Sequence, residues 1–274
     1  MPLSSIEDAI KAYARGEFLV VVDDEDRENE GDLIIAADAM TPEKMAFMIR
    51  HTSGVICAPM SDERADELDL PLMVVENTES MRTAFTVSVD LAEGTSTGIS
   101  ASDRSATVVG LSNPDRRRAE FARPGHIFPL RARAGGVLKR AGHTEAAVDL
   151  CALADRQPVG VLCEIVNDDG TMARLSDLEV FATEHGLQLI TIADLIRHRR
   201  RHEKLVEHFG SARIPHEVRR VDRSRLRVPA GRGRARGLCA GRPGLGRRPA
   251  GPGPLRVPDR RPVGIPALRL WFPT

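Results

Sequence analysis

The chain has little of what marks secreted or membrane proteins. Its 274 residues include only four cysteines, which are widely spaced and contain no Cys-x-x-Cys pair. We therefore expect free thiols in a reducing compartment. No apolar run approaches the roughly 18 residues needed to span a bilayer. Residues 1–15 form an amphipathic segment without the apolar core of a signal peptide. Together these absences predict a cytoplasmic protein.

The net charge is zero, but this balance hides two segments of opposite sign. Residues 1–215 carry 24 Lys and Arg against 36 Asp and Glu, whereas residues 216–274 carry 15 Arg, no Lys and three acids. The second segment also lacks Asn, Gln, Met and Tyr, and it is rich in Pro and Gly. Such a composition cannot form regular helices or a periodic apolar face, so we expect a disordered basic tail.

The first 210 residues alternate short apolar strands with helical patterns, which is typical of helices layered on a sheet. Thr41 before Pro42 predicts an N-cap and a helix over 42–51. Further strands are predicted at 18–22, 33–37, 83–89, 159–166 and 189–192. Ser4 to Glu7 form a capping box that predicts a helix start. Further helices are predicted at 146–154, near Ser176 and after 192, the last running to about Phe209. We expect a domain at 1–210 and a tail at 211–274.

An acidic cluster is the strongest local signal. Residues 23–32 read Asp-Asp-Glu-Asp-Arg-Glu-Asn-Glu-Gly-Asp and lie between two apolar strands. Because clustered carboxylates repel each other, a divalent cation is their ordinary partner. A solvated acidic turn is an equally good interpretation of the spacing alone.

A second signal reads Arg-Ala-Gly-His-Thr-Glu at 140–145 and precedes a helical pattern. Free N–H groups at a helix start bind phosphate well, and Arg140 and the Thr144 hydroxyl flank this start. A glycine lets the chain approach a ligand closely. His143 could ligate a metal or could cap the helix.

Four other features are less specific. His126 ends an Arg-Pro-Gly-His turn at 123–126 and is either functional or a half-exposed turn residue. Glu164 interrupts an apolar strand, and a buried carboxylate of this kind is a candidate general acid or base. The polar loop at 97–104 fits either anion binding or helix capping, and Cys57 is interpreted as a core thiol.

Taken together, these segments resemble a known family. The decapeptide at 23–32 resembles the signature of the 3,4-dihydroxy-2-butanone 4-phosphate synthases, and the segments at 97–104, 123–126 and 140–145 match further motifs of that family in the same order. The resemblance covers about residues 5–210. It implies an α/β three-layer sandwich with a mixed sheet, a homodimer, and two Mg²⁺ or Mn²⁺ ions in each active site.

The resemblance also implies roles for individual residues. Glu28 and His143 would ligate the metal ions, and His126 and Glu164 occupy positions essential for activity. Sugar-phosphate contacts would come from the following residues: Arg27, Glu28, Asp32, Arg140, Ala141, Gly142, His143, Thr144 and Glu164.

The implied reaction converts D-ribulose 5-phosphate to L-3,4-dihydroxybutan-2-one 4-phosphate and formate, a step of riboflavin biosynthesis. It begins with removal of a proton next to a ketone. A divalent cation stabilises the resulting enediolate, and a carboxylate or an imidazole moves the protons. Glu164, His126, Asp32 and a metal-bound water all remain candidates for the first base.

The tail also resembles a damaged second domain. In many bacteria a GTP cyclohydrolase II domain follows this synthase and opens with Ala-Arg-Ile-Pro-Thr, and residues 212–215 read Ala-Arg-Ile-Pro before the likeness stops at His216. Permitted codons for residues 264–272, read one base later, give Ala-Ser-Leu-Arg-Cys-Asp-Cys-Gly, which is similar to the zinc motif of that enzyme. We therefore interpret the tail as a frameshifted remnant.

Two other functional classes fit the sequence less well. A non-catalytic protein that binds a phosphorylated ligand would need the helix-start site but not the acidic cluster, which is present. A nucleic-acid binder could use the Arg-rich tail. That tail lacks interleaved aromatic residues and a basic helix, so no specific nucleic-acid partner is expected.

Overall fold

A computed structural model describes residues 3–203 in full, together with the backbone of three later strands. The helices are α1 Ile6–Ala14, α2 Pro42–His51, α3 Asp62–Glu67, α4 Ala101–Ser112, α5 His143–Leu153, α6 Leu175–His185 and α7 Ile192–His202. The strands are β1 Leu19–Val22, β2 Gly31–Ala36, β3 Cys57–Met60, β4 Val89–Leu91, β5 Phe121–Arg131, β6 Gly160–Glu164, β7 Gln188–Thr191, β8 Glu207–Ile214, β9 Val221–Arg227 and β10 Arg234–Cys239. No helix in the part of the chain so described is long and apolar enough to cross a membrane.

The N-cap of α2 is the predicted residue, whereas the N-cap of α1 is Ser5 rather than Ser4 and that of α6 is Arg174 rather than Ser176. The Ser5 side chain accepts a hydrogen bond from the backbone N–H of Asp8, and this bond starts α1. The Thr41 side chain accepts from the backbone N–H of Lys44, and Pro42 takes the first helical position. Each cap satisfies an N–H group that has no partner inside the helix. The helix predicted at 42–51 is therefore confirmed.

The strands of residues 3–203 form one mixed sheet in the order β4-β5-β3-β6-β2-β1-β7. The pairs β1–β7 and β3–β5 are parallel, and the remaining neighbours are antiparallel. The central strands β1 and β2 are buried along their whole length, because helices cover both faces of the sheet.

Alternation along the strands divides the core into two layers. Val20 and Leu33 point into one cluster, which packs against α2, α3, α4 and α6. Leu19 and Ile34 point into the other, which packs against α1, α5 and α7. Because successive strand side chains face opposite sides, one continuous apolar run supplies both layers. The predicted α/β three-layer sandwich with a mixed sheet is confirmed.

Two predicted elements differ from the structure. The segment 83–89 forms only isolated bridges, Leu72 with Thr86 and Phe85 with Leu130, and the strand begins at Val89. Its N–H groups bond to acceptors in different segments, so no continuous ladder forms. Helix α7 ends at His202 rather than near Phe209, because Glu203 adopts an extended backbone (ψ 138°).

The structure also differs from the disordered tail expected at 211–274. The backbone of β8, β9 and β10 forms a second, antiparallel sheet in the order β10-β9-β8. The middle strand, β9, contains neither Pro nor Gly, which is compatible with a ladder. Residues 204–206, 215–220, 228–233 and 240–274 lie outside the described residues, and the out-of-frame origin of the tail stays a prediction.

Candidate active site

A cavity of about 210 Å³ opens where the β1–β2 loop, the end of β6 and the start of α5 meet. Four carboxylates, two arginines and a histidine supply most of its polar surface. Its lining consists of Arg27, Glu28, Asp32, Cys57, Glu79, Thr83, Phe85, Leu130, Arg140, His143, Thr144, Leu162 and Glu164. Most of the site residues implied by the resemblance therefore meet in one cavity.

Asp23 folds the acidic loop. One of its carboxylate oxygens accepts the N–H of Glu30 at 3.0 Å, and the other accepts the N–H of Glu28 at 3.1 Å. The second oxygen also forms an ion pair with Arg27 Nη1 at 2.8 Å. The side chain of Asp23 is fully buried. A buried carboxylate with three donors fixes the loop and thereby the positions of Arg27 and Glu28.

The cluster at 23–32 thus has two parts. Asp24, Glu25 and Asp26 are exposed, as expected for a solvated turn. Glu28 and Asp32 face the cavity. Asn29 lies between them with a left-handed φ of 52°, a conformation that Asn tolerates better than most residues. The solvated-turn interpretation therefore applies to residues 24–26, and metal binding stays a prediction for the part of the loop that faces the cavity.

His143 is the first residue of α5, and its ring is buried. Nε2 lies 3.1 Å from the carbonyl oxygen of Val21. Nδ1 lies 3.7 Å from Glu28 Oε2 and 3.8 Å from Asp32 Oδ1. Donation from Nε2–H to a carbonyl leaves a lone pair on Nδ1, which is how a backbone acceptor orients a metal-binding histidine.

The charges in this cluster shift each other's pKa values. Burial alone would lower the pKa of His143, but Asp32, Glu28 and Asp23 outweigh it and raise that pKa to about 9. Burial raises the pKa of Asp32 to about 7, with Glu164, Glu28 and Glu30 adding to the rise and His143 opposing it. The contact with His143 lowers the pKa of Glu28. These shifts show that the carboxylates favour a positive charge at this position.

The same residues fit a divalent cation. Ligand atoms of Asp23, Glu28 and His143 lie within 4.8 Å of one another. Asp32 Oδ1 is buried without a hydrogen-bond partner among the described residues. Because both oxygens of Asp23 are used by the loop, we assign it to folding rather than ligation. Carboxylate oxygens with one imidazole suit Mg²⁺ or Mn²⁺ better than a soft metal.

Arg140 is held by a buried carboxylate. Its Nη1 forms a 2.8 Å ion pair with Glu145, which is almost fully buried, and its Nη2 donates to Thr83 Oγ1 at 3.2 Å. A Cβ atom on Gly142 would lie 2.3 Å from Arg140 Nη1, so any other residue would require the guanidinium to move. Among the residues that the structure describes, no side chain caps α5, which leaves N–H groups of its first turn for a ligand or water.

Glu164 ends β6 directly opposite Asp32 on β2. Its Oε2 accepts a 2.7 Å hydrogen bond from Ser53 Oγ. Two carboxylates in register at one edge of the cavity place proton-accepting groups beside the cation-binding cluster. This geometry suits a general acid or base.

Several predicted residues lie outside the cavity lining. His126 forms a 2.7 Å pair with Asp90, and its side chain is 41% exposed. Ala141 is exposed and Gly142 is buried, and neither lines the cavity. In the loop at 97–104, Ser100 caps α4 and Asp103 accepts hydrogen bonds from Ser96 and Gly98, so this loop is organised by capping.

Sequence reasoning missed the residues that hold the predicted ones. Asp23 had a detectable signal, since it opens the acidic decapeptide directly after a buried strand. Glu145 also lay inside a recognised motif. Ser53, Glu79 and Thr83 carry no local pattern that marks them.

Comparisons with known proteins identify the family. Residues 7–198 match the family model described as 3,4-dihydroxy-2-butanone 4-phosphate synthase. The chain is 61% identical over 196 residues to the Agrobacterium fabrum protein named 3,4-dihydroxy-2-butanone 4-phosphate synthase, covering 72% of this chain and 92% of that relative.

Longer relatives match over the same part of the chain. The Arabidopsis thaliana protein named bifunctional riboflavin biosynthesis protein RIBA 1, chloroplastic, is 58% identical over 214 residues, which are 77% of this chain and 39% of that protein. The RibBA protein of Salinispora arenicola is 58% identical, covering 77% of this chain and 50% of its own length. The chain thus spans half or less of these two relatives.

Solved structures share the fold. A 3,4-dihydroxy-2-butanone 4-phosphate synthase in complex with two magnesium ions is 50% identical, with a TM-score of 0.72 and coverage of 73% of this chain and 98% of that one. A two-domain synthase from A. baumannii is 43% identical, with a TM-score of 0.81 and coverage of 87% and 70%. The chain belongs to the 3,4-dihydroxy-2-butanone 4-phosphate synthase family.

Proposed function

We propose that this chain is a carbon–carbon lyase that converts D-ribulose 5-phosphate to L-3,4-dihydroxybutan-2-one 4-phosphate and formate in riboflavin biosynthesis. One observation carries the proposal: a single cavity contains both a cation-type cluster, Glu28 with His143, and the guanidinium groups of Arg27 and Arg140. A sugar phosphate offers hydroxyl oxygens to the first and a phosphate to the second.

Glu28 and His143 are the residues we assign to metal binding, with Mg²⁺ or Mn²⁺ as the ions and two ions per active site. When bound, such ions supply positive charge that stabilises an enediolate. The solved relative that contains two magnesium ions supports this number. The unpartnered Oδ1 of Asp32, 3.8 Å from His143 Nδ1, offers a further oxygen beside the same cluster.

Asp32 and Glu164 are the proton-transfer groups that this cavity offers. They face each other across β2 and β6. The pKa of Asp32 is raised to about 7, chiefly by burial, so this carboxyl can either accept or donate a proton near neutral pH. Glu164 is held by Ser53 and lines the cavity. The removal of the first proton stays open between these two groups, His126 and a metal-bound water.

The phosphate is assigned to the start of α5. Arg140 and Thr144 both line the cavity there. The positive end of the helix dipole and the N–H groups of the uncapped first turn favour an anion. Arg27 approaches the same turn, since its Nη2 lies 3.1 Å from the position that a Cβ atom on Gly142 would occupy. The substrate would therefore lie between α5 and the carboxylates.

A homodimer is part of the proposal and bears on His126. This histidine does not line the cavity of its own chain, yet the resemblance assigns it to catalysis. Asp90 holds its Nδ1 at 2.7 Å, and the exposed ring is free to contact a second molecule. We propose that His126 reaches the substrate bound to the other subunit.

We also propose that residues 1–210 are the synthase domain and that 211–274 are an out-of-frame remnant. The match of the family model to residues 7–198 supports the first part. A cytoplasmic location is supported by the free, buried thiols of Cys57, Cys151 and Cys163.

An assay of formate release tests the proposed function. The purified chain is incubated with D-ribulose 5-phosphate and Mg²⁺, and formate and the four-carbon phosphate are measured by NMR. Stoichiometric appearance of both products is the expected result. A protein that binds the sugar phosphate without releasing formate would instead belong to the non-catalytic class.

A further inference from the structure

A second cluster of metal-ligating side chains lies outside the active site, between α1 and α7. It consists of Glu7 on α1 and of His198 and His202 on α7. One ligand atom from each of the three residues lies within 4.8 Å of the other two. His198 Nδ1 is 3.2 Å from Glu7 Oε1, and the two imidazole rings stack with centroids 4.2 Å apart.

Helical spacing places the two histidines together. Residues four apart lie on the same face of a helix, so His198 and His202 project side by side. The same i, i+4 spacing lets two histidines of one helix bind a single zinc ion in other proteins. Glu7 supplies a third ligand from a different helix, which makes the set tridentate without any residue of the catalytic cavity.

Hydrogen bonds orient both rings of the cluster. His202 Nδ1 lies 2.9 Å from the carbonyl oxygen of His198. When Nδ1–H donates to that carbonyl, Nε2 carries the lone pair. His198 is turned toward Glu7, and its side chain is only 12% exposed, which limits the number of orientations it can take. Oriented imidazoles lose less entropy on binding an ion.

Distances within the cluster are compatible with a tetrahedral ion. Zinc bonds of about 2.0–2.1 Å to nitrogen and oxygen separate neighbouring ligand atoms by about 3.3 Å. The 3.2 Å hydrogen bond between His198 Nδ1 and Glu7 Oε1 already has this length, and a bound ion would displace the proton that lies between these two atoms. His202 is exposed, so its ring can rotate to complete the set.

We propose that Glu7, His198 and His202 form a second metal site, which binds Zn²⁺ or a similar borderline cation such as Ni²⁺ or Co²⁺. Two imidazoles and one carboxylate differ from the oxygen-rich catalytic cluster, so the two sites prefer different metals. The ion would link the N-terminal helix to the last helix of the domain.

The arginines beside the cluster affect its expected affinity for a divalent cation. Arg197 pairs with Asp194, and Arg199 pairs with Asp149 and Glu203, so these two guanidiniums are largely neutralised. Arg201, beside His202, adds positive charge that opposes a dication. We therefore expect micromolar rather than nanomolar affinity with three protein ligands.

Zinc titration of the metal-free full chain tests the site. Excess Mg²⁺ is kept present so that the catalytic cluster is saturated, and binding is followed by calorimetry and by the melting temperature. The variants are His202→Ala and His198→Ala/His202→Ala, and the matched control is His185→Ala, which removes an exposed histidine of α6. A Glu28→Gln background removes the catalytic carboxylate.

The expected result is one Zn²⁺ per chain that both the control and the Glu28→Gln background retain. His202→Ala should weaken its binding at least tenfold, and the double variant should abolish it. Zinc should raise the melting temperature of the unmodified chain but not that of the double variant. Formate release by His202→Ala with Mg²⁺ should be unchanged. Equal zinc affinity and stoichiometry in the unmodified chain and the double variant would overturn the proposal.

Discussion

Ser53 Oγ donates a 2.7 Å hydrogen bond to Glu164 Oε2, although the two residues are 111 positions apart in the chain. The backbone N–H of Ser53 also bonds to the carbonyl oxygen of Glu164 at 2.8 Å. These two contacts attach the segment after α2 to the end of β6 and orient the carboxylate in the cavity. Ser53 is therefore a positioning residue for Glu164.

We expect Ser53→Ala to lower kcat for formate release on the order of 10-fold, the low end for loss of a supporting hydrogen bond. KM should change little, because Ser53 does not line the cavity. Steady-state kinetics with ribulose 5-phosphate measures both. Ser53→Thr keeps the hydroxyl and should restore most of the activity. Equal losses in the Ala and Thr variants would mean that packing, rather than the hydrogen bond, is responsible.

Metal removal should abolish formate release. Glu28 and His143 are the proposed ligands, and their donor atoms suit a hard cation. EDTA followed by gel filtration should give inactive protein, which Mg²⁺ or Mn²⁺ restores. Glu28→Gln should chiefly suppress kcat and should not be rescued by added metal. Full activity of metal-free protein would exclude a role for a cation.

Subunit mixing tests the proposed role of His126. His126→Ala and Glu28→Gln should each be inactive as homodimers. If His126 acts on the neighbouring subunit, each mixed dimer contains one intact site, so refolding the two variants together should restore about one quarter of the unmodified activity. Formate release after co-refolding measures this. Mixtures as inactive as the separate variants would assign His126 to its own chain.

Much of the fold was predictable because its signals are local. The Thr41–Pro42 start of α2 and the apolar runs of β1 and β6 need only propensity and periodicity. The segment 83–89 was predicted wrongly because its alternation is that of a strand, while its N–H groups bond to acceptors in different segments. Periodicity within a segment does not show whether a neighbouring strand is available to pair with it.

The site residues were likewise predictable where they lie in local motifs. Arg27, Glu28, Asp32 and His143 lie in recognisable motifs, and the structure brings them together. Their supports come from distant parts of the chain, as with Ser53 beneath Glu164. Such contacts exist only after folding, so a single sequence carries no local sign of them.

The lowered pKa of Glu79 predicts that the free energy of unfolding depends on pH. Hydrogen bonds from the backbone N–H groups of Met81 and Thr83 lower the pKa of this exposed carboxyl to about 2, against an ordinary value of 4.5. Its stabilising contribution is therefore complete above pH 4.5 and is lost as the pH falls toward 2.

Glu79→Gln should lower the melting temperature at pH 7, and the difference from the unmodified chain should shrink below pH 4.5. Calorimetry at several pH values measures this difference. Glu76→Gln, which changes another exposed carboxylate of the same segment, is the matched control. A difference that is constant from pH 7 to pH 3 would show that the ionised carboxylate is not what stabilises the segment.

Arg140 gives the finest test of how the phosphate is held. Its guanidinium already bridges Glu145 and Thr83, which fixes its plane at the start of α5. Arg140→Lys keeps the charge but loses this planar fork. We expect substrate binding to weaken by roughly 1–3 kcal/mol, the range for a charge-assisted hydrogen bond, and to appear mainly as a higher KM. Thr144→Ala should raise KM in the same direction.

A control is needed because lysine cannot contact Glu145 and Thr83 at once. Glu145→Gln leaves the arginine in place but removes the buried ion pair, so it reports the cost of disturbing the turn alone. If the phosphate binds Arg140, Arg140→Lys should raise KM more than Glu145→Gln does. The melting temperatures of the two variants are compared as well, so that a difference in folding is not mistaken for a difference in phosphate binding. Loss of kcat with an unchanged KM would instead mean that Arg140 acts on the reacting carbons and that the phosphate binds elsewhere.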